Sequence, residues 1–214
     1  MEYIYIVLEK SHTLLGKCSR LLDGYDYTHI TVSLNDNLSR FYSFSRFWHY
    51  APFSSGFMKE TLDCYAYGNH ESVKLKVFKI PVTAKEKRDI KKFIKDVYDD
   101  RENYVFNLYS ALTMPIFHGF RIYKTYNCMS FCARVLSMTE SVVLDKPYYK
   151  YTISELDDLL SEYFFEEKEF KREKVENEHY MRKIPLIYNI GAFIRLNAVL
   201  LDRLLFKFLK KEKF

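Results

Sequence analysis

The chain has 214 residues, 48% of them hydrophobic with only 6 Gly and 5 Pro, which fits one folded domain with a real core and excludes a disordered segment. Its net charge of +5 is interleaved along the sequence apart from Lys207, Lys210, Lys211 and Lys213, so there is no broad basic stripe for nucleic acid. The abundant aromatics, 19 Tyr and 18 Phe, read as core.

Met1 to Leu8 lacks a basic leader and a small-residue cleavage site, so it reads as a first strand and not as a signal peptide. Leu14, Leu15, Cys18, Leu21 and Leu22 fall at helical spacing between Thr13 and Leu22, closed by Asp23-Gly24. A hairpin follows: His29 to Leu34 runs up, Asn35-Asp36-Asn37 turns, and Leu38 to Phe47 returns. Pro52 and Gly56 break the next stretch, and Cys64 to Tyr67 and Val73 to Ile80 are predicted strands.

Thr83 with Glu86 three residues on forms a capping box, and Ile90, Phe93, Ile94 and Val97 give the helix behind it one apolar stripe. Tyr104 to Leu112 is predicted helical and stopped by Pro115; another helix spans Cys128 to Ser137. After Pro147 a short helix starts at Ser154, and Glu166 to Arg182 is a dense run of both charges. Residues 186–210 make a long apolar helix. Arg195, Asp202 and Arg203 interrupt it, which argues against a membrane span. Covering the core or pairing with a second subunit is preferred to lying on an anionic membrane.

The chemistry concentrates at two places. Cys128 begins a helix whose face is Phe131, Val135 and Leu136, where partial positive charge stabilises a thiolate and backbone N–H groups offer oxyanion donors. Alone it reads as a buried core cysteine sooner than as a nucleophile. His29 opens a strand that places it with Thr31 and Ser33 on one face. The four cysteines (18, 64, 128 and 132) show no C-x-x-C spacing, so no metal site, redox pair or cofactor is expected, and a reducing cytoplasm is the expected location.

The segments Thr28-His29-Ile30-Thr31-Val32, Phe41-Tyr42-Ser43-Phe44-Ser45-Arg46 and Asn127-Cys128-Met129-Ser130-Phe131 together resemble circularly permuted, NlpC-type papain-like cysteine enzymes. The relatives of that group include the lecithin–retinol acyltransferases. Residues 3–46 also look like an uncharacterised clostridial branch with a Tyr-Ser-Phe-Gly-Arg motif. The resemblance covers roughly residues 3–160. It implies an α+β fold with a papain-like antiparallel sheet packed against helices as a catalytic domain over 1–160. Residues 161–214, a charged segment and C-terminal helical extension, lie beyond it.

The resemblance further implies that Cys128 is the nucleophile, His29 its proton carrier, and a polar residue on the return strand the orienter. That residue is expected to be Ser43, counted as lying opposite His29, with Ser45 one pleat on. Tyr27, Tyr126 and Asn127 are candidates to line the substrate or oxyanion site. The expected activity is hydrolysis of an amide or thioester through an acyl-thioester, the substrate being a small molecule or peptide, or a carrier-bound thioester. The alternatives are an amide-forming acyltransferase of transglutaminase type and an inactive binding relative. A homo-oligomer is compatible with the C-terminal helix.

Overall fold

The computed structural model describes residues 1–10, 24–172 and 177–206. The helix expected over Thr13–Leu22, Cys18 within it, and the four terminal lysines lie outside the described residues. The fold is α+β: a six-stranded antiparallel sheet with five α-helices among the described residues. The sheet runs in the order β4-β3-β2-β1-β5-β8. Its strands are β1 (Glu2–Glu9), β2 (His29–Ser33), β3 (Phe41–Arg46), β4 (Ser55–Glu60), β5 (Ser72–Val82) and β8 (Phe164–Lys171). Two short parallel strands, β6 (Val105–Phe106) and β7 (Thr125–Tyr126), form a second sheet. The helices are α1 (Ala84–Asp99), α2 (Leu108–Phe117), α3 (Cys128–Leu136), α4 (Ile153–Leu159) and α5 (Leu186–Phe206).

β1 is central and buried on both faces, so from Ile4 to Leu8 both of its side-chain sets are largely apolar. Ile4, Ile6 and Leu8 face the main core with Ile30, Val32 and Phe44, against Ile90, Phe93 and Val97 of α1 and Phe131 and Val135 of α3. Each such fully buried side chain contributes about 1.5–3 kcal/mol. Tyr5 and Val7 face a second core built from Phe41, Tyr65, Val73, Leu75 and Val77. The predicted capping box is present: Thr83 accepts from Glu86 N–H and the Glu86 carboxylate accepts from Thr83 N–H.

Several expectations are corrected. Gly56 lies inside β4 and does not break it. A Cβ there would sit 2.9 Å from Phe47 Cζ and 3.2 Å from the Tyr104 carbonyl, so glycine admits a close approach. Cys64 to Tyr67 is no strand; a short 3₁₀ turn over Leu62–Cys64 precedes it, and its side chains fill the second core. Tyr104 to Phe106 is extended, and α2 begins later, behind Asn107 as N-cap. That helix runs through Pro115 for one further half-turn and ends where His118 turns left-handed at φ 51.

The charged run also hides β8, which pairs antiparallel with β5 at the sheet edge. Its glutamates and Lys168 discourage edge-to-edge pairing with other chains, the usual use of charge on an edge strand. The main sheet therefore continues past residue 160.

Candidate active site

His29 is the first residue of β2 and pairs directly with Glu9, the last residue of β1. Val32 pairs with Tyr42, a register that sets Thr31, not His29, across from Ser43. Ser43 still reaches the ring diagonally, its Oγ 3.3 Å from His29 Nε2. Phe41 pairs with Glu60 and Ser45 with Gly56, so the next strand brings a carboxylate to the same place. Glu60 Oε2 lies 3.2 Å from His29 Nε2. Three hydroxyls donate to that carboxylate: Ser43 to Oε2 at 2.5 Å, Ser45 to Oε1 at 2.6 Å and Tyr65 to Oε2 at 3.2 Å.

Burial opposes the charge on Glu60, but His29 and the serine hydroxyls outweigh it and hold the carboxyl below its ordinary range. Burial likewise opposes a charged imidazole, yet Glu60, Glu9 and a hydrogen bond with Cys128 hold His29 well above its ordinary value. Glu9 behaves in the opposite way. Burial, reinforced by repulsion from Glu60, overcomes the attraction of His29 and keeps its carboxyl protonated well above the usual glutamate range. Glu9 Oε1 stands 3.9 Å from His29 Nε2, and its Oε2 is buried with no hydrogen-bond partner. Two carboxyls thus flank one imidazole, and their surroundings push one up and pull the other down.

Cys128 occupies the first position of α3, 8% exposed, behind Asn127 as N-cap. Asn127 Oδ1 accepts from Ser130 N–H at 2.8 Å, and Ser130 Oγ accepts from Asn127 N–H at 3.0 Å, which fixes the helix start. Cys128 is one of the groups that raise the His29 imidazole, which sets its thiol beside the ring. Cys132, one turn on, is wholly buried, and burial pushes its thiol well up. Cys64, Cys128 and Cys132 are all free thiols.

The remaining candidates separate. Ser45 joins the cluster through Glu60. Asn127 is wholly buried and serves as the cap, leaving its Nδ2 without a partner. Tyr27 turns away, its hydroxyl donating to Glu167 of β8 at 2.5 Å. Tyr126 is wholly buried among Phe44, Phe93, Tyr104 and Phe131, so it is core and lines no opening. Glu60, Glu9 and Tyr65 were not among the candidates. The only sequence sign of Glu60 was the polar alternation of Ser43 and Ser45, which implies a polar partner one strand further on.

Among the described residues no three His, Cys, Asp or Glu side chains are arranged to hold a metal ion. No family model matches the chain, and no curated protein or solved structure matches it significantly.

Proposed function

We propose that the chain is a cysteine-nucleophile enzyme that cleaves an amide or thioester through a covalent acyl-thioester, on a permuted, NlpC-type papain-like fold. The observation that carries this reading is the Cys128 thiol at a helix start among the groups that raise His29, whose ring lies 3.2 Å from an ionised Glu60. A thiolate–imidazolium pair needs all three. The helix start favours the anion, the ring holds the proton, and the carboxylate fixes the ring and supports its charge.

In this scheme the Cys128 thiolate attacks the acyl carbon, forming the C–S bond and an oxyanion. The N–H groups of Cys128 and Met129 are the first-turn α3 donors assigned to that oxyanion, since the Ser130 N–H is engaged by Asn127. The oxyanion then collapses, the bond to the leaving amine or thiol breaks, and His29 transfers its proton to the leaving group. An incoming water loses a proton to His29 and attacks the thioester, releasing the acid and restoring the thiol. An amine acceptor in place of water gives amide formation by the same steps. Ser43 is assigned to positioning, since its hydroxyl holds Glu60 as well as touching the ring.

The proposal includes a reducing, cytoplasmic setting, supported by the free thiols. No described helix is long and apolar enough to cross a membrane. An activated acyl ester with a chromogenic leaving group tests the reaction. A burst of leaving group with an acyl adduct on Cys128, absent in Cys128→Ala and His29→Ala, is expected. Adduct formation at an undiminished rate in His29→Ala would overturn the mechanism.

A further inference from the structure

Among the described residues, helix α5 packs on its own chain through one side. Leu196 and Leu200 pack with Ile122, and the buried Arg203 donates to the carbonyls of Asn103, Tyr123 and Lys124. On the opposite side run Ile187, Gly191, Ile194, Ala198, Leu201 and Leu205, all exposed. Their spacing alternates between four and three residues, the repeat of a helix–helix seam. Isolated surface leucines need no explanation, but an apolar row in this register does. The apolar surface also widens towards α2: Tyr109 donates to Asn197 at 2.7 Å, and exposed Leu112 and Ile116 share its helical face.

Two details point to a helix as the occupant. A Cβ built on Gly191 would meet nothing within 4 Å, so the chain's own packing does not require glycine there. Glycine in a helix interior nevertheless destabilises it relative to alanine. With Ala198 one heptad on, it leaves the seam thin where another backbone would pass. A lipid surface gains nothing from that glycine. The second detail is charge: Arg195 and Asp202 flank the seam on the same side, one heptad apart, and both are exposed. Turning a second α5 antiparallel about a point near Ala198 brings each Arg195 towards the other copy's Asp202. The pattern is therefore complementary to itself under a two-fold axis. A parallel pair would instead set Arg195 and Asp202 beside the uncharged Ile190 and Asn197 of the other copy.

We propose that α5 packs antiparallel on α5 of a second copy of this chain, forming a two-fold homodimer along the Ile187–Leu205 seam. This inference is independent of the cysteine chemistry.

Sedimentation velocity on the full chain at micromolar concentration tests it. Wild type should sediment as a dimer, and Ile194→Glu and Leu201→Glu, both at exposed positions, as folded monomers with unchanged circular dichroism. Arg195→Asp and Asp202→Arg alone should each weaken dimerisation about tenfold, and the double reversal should restore it. A monomeric wild type, a dimer indifferent to Ile194→Glu, or no rescue by the double reversal would overturn the proposal. Binding of the wild-type monomer to anionic vesicles, lost in Leu201→Glu, would overturn it in favour of a membrane surface.

Discussion

Glu60 Oε2 lies 3.2 Å from His29 Nε2, and the hydroxyls of Ser43, Ser45 and Tyr65 all donate to the same carboxylate. The group behind the imidazole is therefore an ionised acid held by neutral donors, with Ser43 as one of those donors. Glu60→Gln should lower kcat/KM by about 10²–10⁴-fold, whereas Ser43→Ala, which leaves two donors in place, should cost about tenfold. The pH profile separates the roles. Without the carboxylate the imidazolium loses its main support, so the alkaline limb of the Glu60→Gln profile should move to lower pH. An unshifted limb would show that Glu60 acts only through packing.

Glu9 gives a stability prediction of the opposite kind. Burial and the neighbouring Glu60 keep it protonated in the fold well above 4.5, its ordinary value, against the pull of His29. Above pH 4.5 the unfolded chain releases this proton while the folded chain retains it, so the unfolded state gains. Glu9→Gln is neutral in both states and removes that loss. Its Tm should exceed the wild-type value at pH 7, with the difference closing as pH falls below 4.5. A less stable Glu9→Gln at pH 7 would mean that Glu9 is ionised and paired with His29.

Two glycines calibrate the backbone. Gly119, at φ +73, follows α2, and a Cβ there would sit 2.1 Å from the Tyr149 carbonyl oxygen. Gly68, at φ +56, has nothing within 4 Å. Gly68→Ala should cost only the left-handed penalty of about 1–2 kcal/mol. Gly119→Ala should cost more, about 3 kcal/mol or above, because the Tyr149 turn must also shift. Urea unfolding of both variants checks the order; equal losses would contradict the tight contact.

The cysteine helix and the histidine strand were legible because local chemistry specifies them. Asn127 caps, Phe131, Val135 and Leu136 give a helical face, and His29 stands at a strand mouth. Glu60 was not legible. Its strand contains a glycine whose reason is Phe47, a long-range contact, and its partnership with His29 depends on register across two strand pairs. The same register placed Thr31 opposite Ser43, where counting along the hairpin had set His29. β8 escaped notice because an exposed edge strand needs no apolar alternation, and its sheet membership comes from pairing with β5 alone. Tyr27 reaches Glu167 and Tyr126 the core for a related reason: nearness in sequence to His29 and Cys128 does not fix which way a side chain points.

The central claim is that His29 activates Cys128, and the rate of iodoacetamide alkylation at each cysteine, followed by peptide mass spectrometry at pH 6, tests it most directly. Cys128 should be labelled at least about tenfold faster than Cys64 or Cys132, and His29→Ala should abolish that preference. Labelling of Cys128 no faster than the buried thiols, or equally fast without His29, would contradict the account.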